Sequence, residues 1–375
     1  MNKIIIFYGS QKAFYKYCPN IYRNLTDIAM EMDQKKKKLV VELKGQEYGL
    51  DEEERIHIEN FVIGSDEYSG VNDHVIINFA NFLSDLIVDN LYIQNPPLQI
   101  ANQLSRIYKN INIIREKYKT VTQKIIKSIS NNYERTVIGQ HEVKRNLLKA
   151  LLPLTIKERN KPVVILFYGD SGIGKTETAL FLAKILNEKL FRKQFSMFQN
   201  NQFSTYLFGG THHDKSFAKD LLDRESNVIL LDEFDKAHPS FHSAFYQLFD
   251  DGVYEDTNYF VEVKKAIIIC TSNYQSIDEI KEKLGKPIYN RFDVIIHFDN
   301  LNDGAKEKIG DKIYKEVSLE YKRQFNLELR KDHIERLYKN FCSCDNAREI
   351  RHLIEDIFAL EQLDKMLIEK NSKSK

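Results

Sequence analysis

The chain contains 375 residues, which is too long for one ordinary hydrophobic core and therefore predicts two or three domains. Hydrophobic residues make up 42% and charged residues 29% of the sequence, within the range of soluble globular proteins. The formal net charge is +1, so no overall field would draw the chain to nucleic acid or to an anionic membrane.

The cysteines and the apolar runs set further limits on the class of protein. The four cysteines are too few and too irregularly spaced for a disulfide framework, and Cys342 and Cys344 lack a second pair at zinc spacing. No stretch approaches the ~18 apolar residues that a membrane span needs. The apolar run at residues 4–8 is shorter than a signal-peptide core, which has about 7–15 residues. We therefore expect a cytoplasmic protein with no membrane span.

The N-terminal region, residues 1–130, carries no motif of known function, and we predict that it forms a separate α/β domain. Lys3 to Tyr8 and residues 38–43 are rich in β-formers and predict two strands. Residues 51–54 are all acidic, which is typical of the first turn of a helix.

Two helical patterns follow in the same region. Apolar residues recur at helical spacing from Val75 to Tyr92, and the pair Pro96-Pro97 ends this pattern. A long amphipathic segment then extends from Leu98 to about Ser130. We interpret this segment as a helix that packs on its own domain, with a docking stalk as the alternative.

From Val137 onwards, short and continuously apolar runs alternate with helical patterns. The runs are residues 163–168, 228–231, 266–270 and 294–298. Continuous apolarity indicates strands covered on both faces, and hence a parallel sheet with helices on either side. We predict an αβα domain over residues 131–300. Helical patterns at residues 304–324, 331–341 and 346–369 then predict an all-α domain with a basic tail over residues 301–375.

A glycine-rich loop joins the first of these apolar runs to a helical pattern at residues 176–187. Its sequence is Gly169-Asp170-Ser171-Gly172-Ile173-Gly174-Lys175-Thr176. Glycines at this spacing let backbone N–H groups surround phosphates, and the following helix directs its positive dipole end at the same anion. Lys175 would contact the β- and γ-phosphates, and Thr176 would ligate Mg²⁺. Because the loop lies between a strand and a helix, it predicts binding of ATP and Mg²⁺.

The apolar run at residues 228–231 ends in two carboxylates, Asp232 and Glu233. Asp232 can hold Mg²⁺ directly or through water, and Glu233 is then placed to polarise the water that attacks the γ-phosphate. A solvated acidic turn is the alternative interpretation, but the preceding phosphate loop favours catalysis.

Between about Tyr133 and Leu363, the chain resembles the AAA+ ATPases, specifically the clade of Clp unfoldases and heat-shock disaggregases. Besides the phosphate loop, the motifs that carry this resemblance are Val137-Ile138-Gly139-Gln140, the acidic motif from Asp232 to Pro239, Ile269-Cys270-Thr271-Ser272-Asn273, Pro287 to Asp293, and Asn346-Ala347-Arg348. They occur in the order and spacing of the family. The resemblance implies a P-loop αβα core with a parallel sheet and a C-terminal helical lid.

The resemblance also implies roles for individual residues. Val137 and Ile138 would pack on the adenine, and Asn273 would help to orient the attacking water. Arg348 would contact the nucleotide from the lid, and Arg291 would be an arginine finger that reaches the γ-phosphate in a neighbouring subunit. Either arginine alone would more often be a surface ion-pair partner. A trans-acting Arg291 makes hydrolysis depend on a ring or spiral, typically a hexamer in this family.

The chain departs from the Clp pattern where a substrate would be gripped. The clade threads polypeptide with an aromatic residue in a Gly-Tyr-Val-Gly pore loop, whereas residues 207–216 have none after the glycines. His212, His213 and Asp214 occupy this stretch and could contact a partner, bind a metal or simply form a polar loop. Val253 stands where the clade usually has an intersubunit arginine, and Asn346 replaces a glycine. Torsins, relatives of the clade, also lack the pore aromatic.

Our leading hypothesis is an oligomeric, ATP-hydrolysing remodeller whose N-terminal region selects a protein partner. The first alternative is a switch in stress or defence signalling that assembles on ATP without threading polypeptide. The second is a nucleic-acid machine such as a helicase loader or clamp loader. The near-zero net charge and the lack of a DNA-reading motif argue against the second alternative.

Overall fold

The computed structural model describes residues 1–42, 55–197 and 202–373. The strands in these ranges are β1 (Lys3–Tyr8), β2 (Ile56–Ile63), β3 (Leu86–Gln94), β4 (Asn112–Arg115), β5 (Val163–Tyr168), β6 (Phe191–Gln194), β7 (Val228–Asp232), β8 (Val253–Glu255), β9 (Phe260–Glu262), β10 (Ile267–Thr271) and β11 (Val294–His297). The helices are α1 (Gln11–Phe14), α2 (Leu25–Glu42), α3 (Asp73–Ile77), α4 (Phe79–Ser84), α5 (Leu98–Ile107), α6 (Gln123–Thr136), α7 (His141–Leu151), α8 (Lys175–Leu186), α9 (Gln202–Phe208), α10 (Phe217–Leu222), α11 (Tyr246–Asp251), α12 (Ile277–Leu284), α13 (Lys286–Tyr289), α14 (Asp303–Phe325), α15 (Lys331–Asn340) and α16 (Ala347–Lys373). None of these helices is long and apolar enough to cross a membrane.

The chain forms two compact units, and neither is one continuous stretch of sequence. Unit 1 contains Met1–Lys119, Met197–Asn227 and Ser240–Lys264. Unit 2 contains Thr120–Ser196, Val228–Pro239 and Lys265–Lys375. The segments that follow β6 and β7 therefore belong to the same unit as the N-terminal region. The predicted domain boundary at residue 130 falls inside α6.

Unit 1 is built on a four-stranded sheet in the order β2-β3-β1-β4, with every neighbouring pair parallel. Side chains alternate between the two faces of a strand, and both faces of β1 are covered. Ile4 and Ile6 pack in one hydrophobic cluster, whereas Ile5 and Phe7 pack in another. Burial on both faces explains why the first apolar run of the sequence is continuous.

Unit 2 contains a five-stranded sheet in the order β11-β5-β10-β7-β6, again with parallel neighbours. Strands β5, β7 and β10 are almost completely buried, because helices cover both faces of the sheet. In a parallel sheet of this kind, ligands bind at the carboxyl ends of the strands. The phosphate loop follows β5, Asp232 ends β7 and Thr271 ends β10. These three features therefore lie together at the carboxyl ends of the strands.

Helices α14, α15 and α16 form the helical part of unit 2 around a hydrophobic cluster of their own. Phe341 and Leu337 are fully buried in this cluster. Gly310 on α14 faces the ring of Phe341 so closely that a Cβ atom would have no room. The close approach accounts for a glycine within a long helix, where it otherwise weakens helix formation by about 1 kcal/mol.

The predicted αβα core and helical lid are confirmed. The four apolar runs correspond to β5, β7, β10 and β11, and the three C-terminal helical patterns correspond to α14, α15 and α16. The helix predicted after the phosphate loop is α8. The sequence-based prediction missed β6, whose residues Phe191-Arg192-Lys193-Gln194 form no apolar run at the edge of the sheet.

Three predictions in the N-terminal region were wrong. We predicted a strand at residues 38–43, but the residues up to Glu42 belong to α2. The helix formers from Leu25 onwards continue through the lysine run. The pattern at residues 75–92 covers α3 and α4 only, after which β3 begins at Leu86. The segment at residues 98–130 is not one helix, since β4 separates α5 from α6. The predicted acidic helix start at residues 51–54 lies outside the described residues.

Two physical causes explain the errors at β3 and β4. Apolar residues in β3 fit both a helix and a strand pattern, and pairing with β1 and β2 decides in favour of a strand. Strand β4 is a short, largely exposed edge strand. Its sequence therefore lacks the pattern of buried apolar residues that would predict a strand.

Candidate active site

Unit 2 contains a cavity of about 500 Å³ at the carboxyl ends of its sheet, between the sheet and the helical part. The predicted site residues that line it are Val137, Ile138, Ser171, Gly172, Ile173, Gly174, Lys175, Thr176, Asp232, Glu233, Asn273 and Arg348. Gly169, Asp170 and Arg291 are the predicted site residues that do not line it. Lining residues to which the sequence assigned no role include Arg192, Gln194, Thr271, Lys312, Glu316 and Arg351.

The phosphate loop turns tightly because of its glycines. Gly169 has φ +124°, and a Cβ atom there would lie 2.5 Å from the carbonyl oxygen of Phe298. Gly174 has φ +114° and precedes α8, which begins at Lys175. The free N–H groups of the first turn of α8 and the helix dipole therefore face the cavity and favour an anion there.

Lys175 is 7% exposed, and its ammonium group is held by two carbonyl oxygens and one amide oxygen. Its Nζ donates hydrogen bonds to the carbonyl oxygens of Gly169 (2.5 Å) and Asp170 (2.8 Å), and to Oδ1 of Asn273 (3.1 Å). Burial lowers the pKa of Lys175 to about 8. A bound anion would raise this pKa again, and Asn273, two residues after β10, holds the ammonium group in place.

Asp232 and Glu233 are held together by the hydroxyl group of Thr271. This hydroxyl donates to Oδ1 of Asp232 at 2.5 Å and accepts from the backbone N–H of Glu233 at 2.9 Å. Glu233 adopts a left-handed backbone conformation with φ 55°, which costs a residue with a side chain of order 1–3 kcal/mol. The hydrogen bond from its N–H to Thr271 helps to keep this conformation.

Strand β6 supplies partners for both carboxylates. Arg192 donates from Nε (2.9 Å) and Nη2 (2.5 Å) to Oδ2 of Asp232. Two residues further along the same face, Gln194 donates to Oε2 of Glu233 at 3.1 Å. Hydrogen bonds from Ser196 and Gln194 lower the pKa of Glu233, so its carboxylate stays ionised.

The lid contacts the phosphate loop through the start of α16. Arg348 Nη1 donates to Oγ of Ser171 at 3.2 Å, and the backbone N–H of Ala347 donates to the carbonyl oxygen of Gly172. Asn346 caps the helix, since its Oδ1 accepts from the N–H groups of Arg348 (3.0 Å) and Glu349 (3.1 Å). The asparagine that departs from the family glycine therefore has a structural role here.

The apolar end of the cavity is closed by side chains from both parts of unit 2. Val137 and Ile138 line it together with Leu301, Ile309 and Ile313. This composition suits a planar aromatic base.

Gln140 fixes the segment that carries Val137 and Ile138. Its amide donates to the carbonyl oxygens of Ile173 (3.1 Å) and Asp299 (2.8 Å) and accepts from the N–H of Asp299. The segment is thus tied to the phosphate loop.

The predicted arginine finger lies apart from the cavity within this chain. Arg291 follows α13, is partly buried and donates from Nη1 to the carbonyl oxygen of Pro287 at 2.6 Å. Asp170 also points away from the cavity, because its Oδ1 accepts a hydrogen bond from Gln275 at 2.7 Å.

The residues at the sheet edge fit a Mg²⁺ ion bound with a nucleotide. Thr176 supplies a hydroxyl oxygen and Asp232 a carboxylate oxygen, and both line the same cavity. Hard oxygen ligands of this kind suit Mg²⁺, which keeps several waters and is completed by phosphate oxygens. Among the described residues, no group of three or more His, Cys, Asp or Glu side chains could hold a metal by itself.

The segment at residues 207–216 belongs to unit 1, where it is anchored by hydrogen bonds. Tyr254 donates its hydroxyl proton to the carbonyl oxygen of Leu207, and Asn258 donates to that of Gly210. His213 lies 2.9 Å from the carbonyl oxygen of Ser69.

His212, Tyr206 and Phe208 lie in or next to this segment and have different surroundings. His212 is buried, and this burial lowers its pKa. Tyr206 is buried and donates to Asp220, whereas Phe208 is 43% exposed.

Comparisons with known proteins agree with the architecture of unit 2. A family model described as AAA domain (Cdc48 subfamily) matches residues 160–337. The chain is 29% identical over 304 residues to chaperone protein ClpB of Mycoplasmoides gallisepticum, covering 73% of this chain and 42% of the relative. It is 31% identical over 215 residues to ClpB of Bacillus cereus, covering 48% of this chain and 25% of the relative.

A third relative is the ATP-dependent Clp protease ATP-binding subunit ClpL of Staphylococcus aureus. It is 28% identical over 219 residues, covering 52% of this chain and 31% of the relative. The chain thus spans less than half the length of these curated relatives. The chain thus contains a matched AAA domain with a parallel sheet behind a phosphate loop, and it is similar to the Clp chaperones.

Proposed function

We propose that the chain binds ATP in the cavity of unit 2 and hydrolyses it with Glu233 as the general base. The observation that carries this proposal is the arrangement of Asp232 and Glu233 opposite Lys175 at the edge of one parallel sheet. Mg²⁺, when bound, would offset the negative charge that develops during phosphoryl transfer. Thr176 and Asp232 would hold it.

The remaining groups divide the chemistry between them. Lys175 and Arg348 bind the phosphates, and Asn273 keeps Lys175 in place and offers an amide to the attacking water. Glu233 accepts a proton from this water as its oxygen attacks the γ-phosphorus. The bond to the β–γ bridging oxygen breaks, and ADP leaves with the electron pair. Val137 and Ile138 bind the adenine.

We further propose that turnover requires assembly of several chains into a ring or spiral, a hexamer in the simplest case. Arg291 lies outside the lining of its own cavity and would act on the γ-phosphate of a neighbouring chain. Arginine fingers raise phosphoryl-transfer rates by ~10³–10⁵. Hydrolysis would move the lid, and this motion would remodel a protein partner. The N-terminal region would select that partner.

The test is the ATPase rate per chain as a function of protein concentration, for the wild type and for Arg291→Ala. We expect the wild-type rate per chain to rise with concentration, and the Arg291→Ala rate to stay low throughout. Mixing Arg291→Ala with an excess of Glu233→Gln chains should restore turnover in the Arg291→Ala cavities, since the second variant supplies its own Arg291. A rate that is independent of concentration and unaffected by Arg291→Ala would contradict assembly-dependent hydrolysis.

A second candidate function is a switch that assembles on ATP without threading polypeptide. The observation that favours it is the anchoring of residues 207–216 in unit 1. His213 lies 2.9 Å from the Ser69 carbonyl oxygen, and its Nε2 lies 3.4 Å from Asp73. Such a segment is less available to grip a substrate than a free loop.

The two candidates differ in what they do to an unfolded or tagged model polypeptide. The switch predicts that ATP drives assembly but that a fluorescent, tagged substrate stays folded. Loss of substrate fluorescence that requires both ATP and Glu233 would favour the remodeller.

A further inference from the structure

The carboxylate of Asp232 is fully engaged in this structure. Its side chain is 7% exposed, its Oδ1 accepts from Thr271, and its Oδ2 accepts from both Nε and Nη2 of Arg192. A buried carboxylate needs such partners, because an unpaired charge away from water is costly. Arg192 therefore supplies the counter-charge of Asp232 at Oδ2.

The position of Arg192 distinguishes it from a purely structural ion-pair partner. Its side chain is 45% exposed and lines the same cavity as Lys175 and Thr176. It is carried by β6, which is the edge strand of the sheet beside β7. A guanidinium group at the mouth of a phosphate site can turn from a carboxylate to a phosphate oxygen, since it binds both in the same planar geometry.

We propose that Arg192 is a displaceable cation that occupies the metal-binding oxygen of Asp232 until nucleotide and Mg²⁺ arrive together. In the absence of nucleotide, the ion pair makes Asp232 a poor ligand for a divalent cation. When the metal binds with the nucleotide, Arg192 leaves Oδ2 and its guanidinium contacts the phosphates. Arg192 is thus a positioning residue that couples metal binding to nucleotide binding.

This inference rests on the proposed function in one respect, since it takes Asp232 as the metal ligand. Two binding measurements on the full chain test it without reference to turnover. The first is the affinity of nucleotide-free protein for Mn²⁺, a spectroscopic substitute for Mg²⁺, followed by electron paramagnetic resonance. The second is the affinity for a fluorescent ADP analogue in EDTA, which removes divalent cations.

For Arg192→Gln, we expect Mn²⁺ to bind the nucleotide-free protein at least about threefold more tightly and the ADP analogue to bind several-fold more weakly in EDTA. The matched control is Lys193→Gln, which removes the same charge from the opposite face of β6. A shift in Mn²⁺ affinity no larger than that of Lys193→Gln would overturn the proposal, because it would reflect net charge alone.

A conservative variant keeps the test decisive if Arg192→Gln is unstable. Arg192→Lys retains the charge but loses the two-donor geometry, so its Mn²⁺ affinity should lie between those of the wild type and Arg192→Gln. An affinity equal to that of the wild type would contradict the role of the guanidinium group. If the wild type fails to bind Mn²⁺ even with ADP present, the metal role of Asp232 in the proposed function fails instead.

Discussion

The hydroxyl group of Thr271 lies 2.5 Å from Oδ1 of Asp232 and donates a hydrogen bond to it. The same hydroxyl accepts from the backbone N–H of Glu233. One side chain at the end of β10 thus sets the positions of both carboxylates at the end of β7. Its neighbour Asn273 positions Lys175 across the cavity.

Replacing Thr271 by valine tests this link. The substitution keeps the shape of the side chain but leaves a buried carboxylate oxygen and a backbone N–H without their partner, each costing about 1–3 kcal/mol. We expect the free energy of unfolding to fall by about 2 kcal/mol and kcat to fall by about tenfold or more, measured by denaturant titration and steady-state ATPase assays. Thr271→Ser keeps the hydroxyl group and should retain most of the wild-type stability and most of the wild-type kcat. Equal losses in the two variants would show that the methyl group matters rather than the hydrogen bonds.

The hydrogen-bond donors to Glu233 on β6 and just after it should set the acidic limit of activity. Hydrogen bonds from Ser196 and Gln194 lower the pKa of Glu233. Its carboxylate therefore stays ionised, and able to accept a proton, at a lower pH than that of an ordinary glutamate. Removing both donors in Ser196→Ala/Gln194→Ala raises this pKa, and the acidic limb of the kcat–pH profile should move to higher pH. Gln324→Ala, at an exposed position of α14, is the control. An acidic limb that stays in place would contradict the assignment of Glu233 as the base.

Nucleotide affinity should fall as the pH rises above about 8. Burial lowers the pKa of free Lys175 to about 8, whereas the negative charge of bound phosphates raises it again. Above the lower value the free protein must take up a proton in order to bind, so affinity declines with pH. Between pH 7 and pH 9 the Kd should rise by about tenfold. Calorimetry in two buffers of different ionisation enthalpy should detect the proton uptake, and a flat affinity with no uptake would contradict the account.

Asn346 offers a test of how the lid is held on the phosphate loop. Loss of a helix N-cap costs about 1 kcal/mol when alanine replaces asparagine and only a few tenths when glycine does. Asn346→Ala should therefore destabilise the chain and weaken nucleotide binding, because Arg348 lies in the first turn that Asn346 caps. Asn346→Gly should behave much like the wild type in thermal unfolding and in nucleotide titration. If stability falls but nucleotide affinity does not change, the Asn346 cap does not support nucleotide binding, and this part of the account is wrong.

The sequence predicted unit 2 well because its strands are buried on both faces and its motifs are local. The phosphate loop and the Asp232-Glu233 pair are each contiguous in the chain, and both adjoin apolar runs. The ion pair between Arg192 and Asp232 joins residues 40 positions apart across two strands. No spacing rule indicates such a contact, and the short polar strand β6 gave no apolar signal.

The N-terminal region was harder to predict for a different reason. Its strand β3 has apolar residues at positions that also suit a helix, so only pairing with β1 and β2 resolves the ambiguity. The assignment of residues 197–227 and 240–264 to unit 1 depends on contacts between distant parts of the chain. Hydrogen bonds such as that between Asp223 and the N–H of Gln11 leave no pattern in the local sequence.

The measurement that tests the central claim most directly is the ATPase rate of Glu233→Gln beside the wild type, with ATP affinity determined on the same samples. Glutamine keeps the size of the side chain and can still accept a hydrogen bond, but it cannot take a proton from water. We predict that turnover falls by at least about 10²-fold, while ATP binds with little change in Kd. A Glu233→Gln chain that hydrolyses ATP at the wild-type rate would contradict the account, and the base would have to be sought elsewhere in the cavity.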